Sequence, residues 1–464
     1  MSILSNDKQL LLSGFLGQLP EHVASRLAKA VEVDRLIGGK LPHEVILRAL
    51  RPQLKAAPHP NRTETPMRVF CQPFEDILVD VHRDTKQKGR VARTSIGPVW
   101  RWLSEELMPA RHAVLDGAMR DALVGELREE IRLKSADLWS ETGFALRSAL
   151  ADETARRAAI DTLGGTAVAE DAAEMALLLT GADDILAVQK RLVKPVTGLS
   201  DDDIAFLRDE FDRLNVRDPD LAPYIALVAM GRLERPWEAL RLAAVLSRKA
   251  TDTLMANTDL GTVGELLFSD LDFHARKIQT ARPVDFDPDV ILASLAGFAE
   301  LSSGMVKELA IRREGKWGQR LAKDRTSVAE TIEGLLAKAP KEILSALAQP
   351  KSIGFGRGKR FDISRPPDPE RVARAMRYAN LAAHSRPFAV AAAFNAKLAE
   401  VVEELTIALR SYSEDLLREV RAASPDGRSN AEAHFTVMLE LSKLILGEEE
   451  ADFLRRRARV AVGA

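Results

Sequence analysis

The segment Pro350–Pro369, PKSIGFGRGKRFDISRPPDP, interrupts a chain whose flanking sequence is typical of helix. It contains three glycines and four prolines within twenty residues. Glycine loses the most backbone entropy on ordering, and proline lacks the amide hydrogen and clashes with the preceding helical turn. We therefore predict a non-helical, exposed and basic connection between a helical body and a C-terminal helical unit.

Outward from this segment, the chain is predicted to be all-α and multi-helical, with two or three helical units. Its 464 residues exceed the size at which single cores stop growing, about 250–300 residues. Short helices in series in the middle suggest stacked hairpins, as in an α-solenoid, although no repeat period recurs. The predicted parts are N-terminal helices over 1–57, a helical unit with a basic segment over 67–150, a helical body over 151–349, the basic Gly/Pro loop over 350–369, and a long-helix unit over 370–464.

Local signals predict several element boundaries. Gly97-Pro98 is expected to break the helical pattern, with a new helix beginning at Pro98. Ser200 followed by Asp203 resembles a capping box, with Asp in place of the usual Glu. One final helix is predicted from Asn430 to about Val460.

Composition excludes several classes of protein. Apolar residues make up 46% of the chain and aromatic residues 5%, which favours helix-on-helix packing of Ala, Leu, Val and Ile. The formal net charge of −2 argues against a dedicated nucleic-acid binder. The single cysteine, Cys71, excludes intrachain disulfides and multi-cysteine metal sites and is compatible with the cytoplasm, where we expect the protein. No run of about 18 continuous apolar residues occurs, so no transmembrane segment is predicted.

Motifs for nucleotides and calcium fail on spacing. The glycines of Gly354–Arg360 resemble a phosphate loop, but one residue is missing before the Gly-Lys pair and Arg360 replaces the magnesium-binding hydroxyl. Asp285–Asp289 begins like a calcium loop, but Val290 stands where glycine is required. Local helix capping by Asp287 explains the second pattern better.

No catalytic or metal-binding constellation is apparent. Asp270, Asp272 and His274 would share a site only if their segment were extended, and Cys71 is typical of a buried small residue rather than a nucleophile. We therefore predict no catalytic residue, no metal and no cofactor. An enzyme assembled from distant helices ranks last among the functional classes.

Basic residues around the interruption are the candidate site for an anionic partner. Guanidinium groups match phosphate geometry, and the three arginines after the loop recur every third residue. Two further basic stretches are Arg83–Arg93, followed by Trp100 and Trp102, and Arg455–Arg459. The alternative is that all these cations lie on solvated faces and pair with nearby acids, which the balanced net charge favours. The candidate residues are Lys351, Arg357, Lys359, Arg360, Arg371, Arg374 and Arg377.

An apolar seam in the C-terminal unit is the candidate for self-association. It spans about two heptads, fewer than a coiled coil requires. The leading prediction is a helical protein-interaction or scaffold protein that binds a protein partner or itself. The alternative is a binder of nucleic acid or anionic lipid through the basic Gly/Pro loop and the arginine-lined helix after it. The seam residues are Val402, Leu405, Leu409, Tyr412 and Leu416.

Overall fold

The computed structural model confirms the all-α class, because 78% of the chain is helical. The structure describes residues 12–50 except 13, 37–40, 44 and 48, and residues 66–82, 85–114, 128–248, 258–308, 314–352, 359–422 and 427–463. The chain divides into two compact units, Met1–Glu234 (unit 1) and Arg235–Ala464 (unit 2). Each unit is described by itself.

Unit 1 is built around one buried helix. A 3-10 turn at Gln72–Ile77 follows the helix Pro66–Cys71, and a π-helical turn at Leu103–Leu107 follows the helix Arg93–Trp102. The described helices are α1 (Glu21–Leu36), α2 (Pro66–Cys71), α3 (Arg93–Trp102), α4 (Arg128–Ala149), α5 (Glu153–Leu163), α6 (Thr166–Thr180), α7 (Ala182–Arg191), α8 (Asp201–Arg217) and α9 (Tyr224–Arg232).

The α6 helix lies at the centre of unit 1 because its sequence is apolar on most sides. It packs against α3, α4, α5, α7 and the 3-10 turn. Its residues Ala172, Met175 and Leu178 are fully buried, and so is the charged Asp171. A helix that is apolar all round belongs in a core, and a buried charge within it requires partners.

A short parallel pair of strands covers one side of α6. Strand β1 (Leu78–Val79) pairs with β2 (Val91–Ala92), with Leu78 opposite Val91. The predicted break at Gly97-Pro98 was wrong, since α3 runs through Pro98. Burial of Ile96 and Val99 on either side of this pair outweighs the hydrogen bond that proline cannot donate.

The predicted capping box is confirmed at the start of α8. The Ser200 hydroxyl accepts a hydrogen bond from the Asp203 amide at 3.1 Å, and the Asp203 carboxylate accepts one from the Ser200 amide at 3.2 Å. These bonds satisfy amides that the first helical turn leaves without partners.

Unit 2 consists of longer helices and one hairpin. The 3-10 turn Pro236–Glu238 precedes the helix Ala239–Ser247, and the 3-10 turn Arg386–Phe388 follows the helix Pro369–His384. The described helices are α10 (Ala239–Ser247), α11 (Gly261–Gln279), α12 (Pro288–Glu308), α13 (Lys316–Leu336), α14 (Ala339–Ser345), α15 (Pro369–His384), α16 (Asn395–Ala422), α17 (Arg428–Leu446) and α18 (Glu448–Gly463).

The core of unit 2 lies where α11, α12 and α13 meet and where α15 and α16 pack against α17. Close approach is possible because small residues stand at the contacts. A Cβ atom on Gly264 of α11 would lie 2.3 Å from the ring of Trp317 on α13. Helices this close leave no room for a larger side chain at that position.

The described residues of the Gly/Pro segment before Pro369 are non-helical as predicted, but those at 350–352 and 359–361 pair as the strands of an antiparallel hairpin. Strand β3 (Pro350–Ser352) pairs with β4 (Lys359–Phe361), and Lys351 lies opposite Arg360 in the register. The strand β3 therefore precedes the glycines in the chain, and the helical pattern did not predict it. The predicted final helix is also divided, because Gly447 has a φ of 98° and separates α17 from α18.

One described helix, α12, is long and apolar enough to cross a membrane by length and composition. Half of its apolar window is buried inside the protein. The core helix of a globular domain has the same composition, so this helix alone does not define a membrane protein.

Candidate functional site

A surface cleft lies at the base of the hairpin in unit 2. Its volume is about 200 Å³. The walls come from the end of α14 and the residues just after it, the segment between β4 and α15, the start of α15 and one residue of α17. The lining residues are Ser345, Ala346, Leu347, Gln349, Asp362, Ser364, Arg365, Pro366, Pro367, Asp368, Arg371 and His434.

The hairpin base that forms one wall is fixed to the helical core. The Phe361 ring lies 4.6 Å from the Tyr412 ring of α16, and the Asp362 amide donates to the Gln349 carbonyl at 3.0 Å. Burial raises the pKa of Tyr412 above its ordinary value, so this phenol stays neutral. The cleft therefore has a rigid wall on its hairpin side.

Both aspartates of the cleft are engaged by local backbone groups. The Asp362 carboxylate accepts from the Ser364 amide at 3.2 Å and from the Ser364 hydroxyl at 2.5 Å. The Asp368 carboxylate caps α15 by accepting from the Glu370 amide at 3.0 Å. These acids hold the turn and the helix start, as short polar residues commonly do.

The arginines of the cleft have fewer and weaker polar contacts than its aspartates. Within the described part of the chain, the exposed Arg365 guanidinium makes no hydrogen bond or ion pair. Arg371 has 57% of its side chain exposed, and its Nε lies 3.5 Å from an Asp368 oxygen, which is a weak surface contact. Two guanidinium groups with spare donors therefore border one cleft, and guanidinium groups are well suited to bind a carboxylate or phosphate.

The α17 helix positions the backbone that carries Arg365. The Nε2 atom of His434 lies 2.9 Å from the Arg365 carbonyl, and the side-chain Nδ2 of Asn430 donates to the Ser364 carbonyl at 3.0 Å. Because a carbonyl only accepts, Nε2 carries the hydrogen. His434 is only 6% exposed, and its buried Nδ1 has no partner among the described residues.

The predicted basic site is divided by the structure. Arg371 borders the cleft, but Arg374 lies 3.5 Å from Glu342, and Arg377 lies 3.3 Å from Asp285. Lys351, Lys359 and Arg360 belong to the hairpin strands, their side chains lie outside the described part of the structure, and Arg357 lies outside the described residues altogether. The site therefore gathers one of the three α15 arginines and adds Arg365, which was not among the predicted residues.

The predicted self-association seam is covered within unit 2. Leu405, Leu409 and Leu416 are fully buried and Tyr412 is 9% exposed, whereas Val402 is half-buried. Helix α16 packs these side chains against its neighbours α13, α17 and α18. A second copy would have to displace these helices, and association through the seam stays a prediction.

The basic stretch of unit 1 is fastened onto α6. Lys86 lies between two buried carboxylates, 3.4 Å from Asp171 and in direct contact with Glu174. The Asp171 carboxylate also accepts from Ser95 at 2.6 Å and lies 2.7 Å from His82. These groups hold the connection between β1 and β2 and leave Lys86 little freedom to bind a partner.

Glu174 has two further donors. The Gly89 amide and the Tyr224 hydroxyl each donate to it at 2.5 Å. Burial and then the charge of Glu174 raise the pKa of Tyr224 above its ordinary value, so the phenol donates as a neutral group.

Cys71 and the group Asp270, Asp272 and His274, which the sequence offered as candidate reactive residues, do not form a reactive site. Burial, followed by the charge of Glu75, raises the pKa of the Cys71 thiol to about 12, which keeps it protonated at neutral pH. Asp270, Asp272 and His274 lie within the helix α11, so the extended condition for a shared site is not met. In the described ranges, no group of three His, Cys, Asp or Glu residues is placed to hold a metal.

Comparisons with protein-family models, curated proteins and solved structures give no match. The class is therefore the one that the fold and the cleft define: an all-α, multi-helical protein of two units with an arginine-bearing polar cleft in unit 2.

Proposed function

We propose that this is a helical binding protein whose unit 2 captures an acidic group of a partner protein in the cleft. The observation that carries the proposal is that the acidic side chains of the cleft have hydrogen-bond partners, whereas one of its two arginines has none among the described residues. The cleft aspartates are engaged by backbone groups, whereas Arg365 has no partner among the described residues. Charge-assisted hydrogen bonds from arginine to a carboxylate or phosphate contribute about 1.5–3 kcal/mol each.

A single acidic group fits this cleft better than a continuous polyanion. Arg374 and Arg377, which would extend a basic track along α15, are not among the lining residues, and each lies within 4 Å of an acid of unit 2. Among the described residues that line the cleft, only His434 carries an aromatic ring, so this lining offers no stacking platform of the kind on which single-stranded nucleic acids rely. The balanced net charge of −2 points the same way.

The test compares four probes on the full chain at low salt. N-acetyl-phosphoserine amide and N-acetyl-glutamate amide represent acidic groups of proteins, and dodecathymidylate and phosphatidylserine vesicles represent the other classes. Hydrogen exchange by mass spectrometry should show protection over residues 362–371 with the amino-acid probes. Binding of only the DNA or the vesicles, or protection elsewhere, would overturn the proposal.

A further inference from the structure

His112 in unit 1 is a buried ionisable side chain. The residue is 5% exposed, and neither ring nitrogen has a hydrogen-bond partner among the described residues. It belongs to a helical turn at 109–114 whose first bond joins the His112 amide to the Met108 carbonyl at 3.2 Å. A buried polar group without a partner is rare and calls for a physical explanation.

Aromatic side chains form the surroundings of this imidazole. The Trp100 ring of α3 meets it edge-on, with 4.5 Å between centroids and an angle of 85°. The centroid of the Phe70 ring of α2 lies 5.3 Å from that of Trp100, and the centroid of the Phe74 ring lies 5.2 Å from that of Phe70. A neutral imidazole fits such a site as an aromatic ring, but an imidazolium would lose its hydration there without gaining a hydrogen bond.

Among the described residues, no charged side chain forms a hydrogen bond or ion pair with this ring. Arg111 donates to Glu141 of α4 at 2.6 and 3.0 Å, so the two neighbouring charges neutralise each other. Cys71 of α2 remains a neutral thiol. The other charged residues of α3 and of the π-helical turn are exposed; they are Arg93, Arg101, Glu105 and Glu106.

We propose that His112 is an acid-sensitive plug, which holds the 109–114 turn against Trp100 only while its imidazole is neutral. Burial lowers the pKa of His112 from its ordinary value. For a base with a lowered pKa, the contribution to stability is complete above the pKa of the released state, about 6.5, and is lost as the pH falls below it. Acidification therefore favours release of the turn.

The size of the effect follows from the released state. If the docked ring stays neutral, lowering the pH from 7.5 to 5.5 raises the equilibrium constant for release about tenfold, because the released imidazole binds a proton near pH 6.5. This inference concerns unit 1 and does not depend on the proposed function of the cleft.

Hydrogen exchange of the full chain tests the plug. Peptides spanning 96–114, corrected for intrinsic exchange rates, should lose about tenfold protection between pH 7.5 and 5.5. His112→Phe keeps an aromatic ring without a titrating group and should abolish this dependence, and His112→Leu serves the same purpose if the phenylalanine does not fit. His384→Asn, at an exposed histidine of unit 2, is the control and should behave as the wild type. A wild type without pH dependence, or variants that retain it, would overturn the proposal.

Discussion

Replacing Lys86 with methionine should destabilise unit 1 more than any change of a surface charge. The Lys86 side chain is 11% exposed, and the carboxylates beside it belong to Asp171 and Glu174, which are buried on α6. The ammonium group also donates to the carbonyls of Gln87 and Arg90, each at 2.7 Å. Methionine matches the length of the lysine stem but supplies neither the charge nor the donors.

The magnitude follows from what remains after the substitution. Asp171 keeps its contacts with Ser95 and the Ala92 amide, and Glu174 keeps those with Gly89 and Tyr224. Two buried carboxylates nevertheless lose their nearby cation, and breaking a buried ion pair costs about 3–5 kcal/mol. We expect a loss of this size in the free energy of unfolding of unit 1.

The assay is urea-dependent hydrogen exchange of the α6 amides, because a whole-chain signal would combine two units. Arg157→Met is the matched control: its side chain is 75% exposed and pairs with Glu153 on the surface of α5. The control should change stability by less than about 0.5 kcal/mol. A loss below about 1 kcal/mol in Lys86→Met would refute the view that buried charge holds the β1–β2 connection.

Two further predictions concern unit 2. Leu409→Ala should lower the free energy of unfolding of unit 2 by about 2–5 kcal/mol, because the side chain is fully buried. Light scattering should show an unchanged oligomeric state. A change of oligomeric state without a loss of stability would contradict the packing of this residue inside unit 2. Asp368→Asn should keep the helix cap but remove the acid that lies beside Arg371. The affinity for N-acetyl-phosphoserine amide should then rise about fivefold, since the lost attraction between Asp368 and Arg371 is about 1 kcal/mol at the surface. Weaker binding would argue against Arg371 as a ligand group.

The sequence predicted the helical class because periodic apolar residues and strong breakers act locally. It did not predict the hairpin, since strands of three residues are too short to show alternation. Gly447 was missed as a break because a lone glycine within a helical pattern is usually tolerated, and only its positive φ shows the division. Gly97-Pro98 was overestimated as a break because tertiary burial outweighed local preference.

The cleft could be predicted only in part. The sequence predicted cations after the glycines, and Arg371 was among the predicted residues. Arg365 and His434 are 69 positions apart in the chain, and only the packing of α17 on the hairpin linker brings them together. Which arginines face acids is also a tertiary property: Arg377 pairs with Asp285, 92 positions away.

The affinity of the cleft for N-acetyl-phosphoserine amide, measured at low salt by saturation-transfer NMR, tests the central claim most directly. Arg365→Ala and Arg371→Ala should each weaken binding by about tenfold, since a charged hydrogen bond contributes about 1.5 kcal/mol. The matched control replaces Arg418 and Arg456 of unit 2, which are exposed and lie outside the cleft. The double cleft variant should lose detectable binding while the control retains it. Equal losses in both variants, or no loss in the cleft variant, would contradict a site at Arg365 and Arg371.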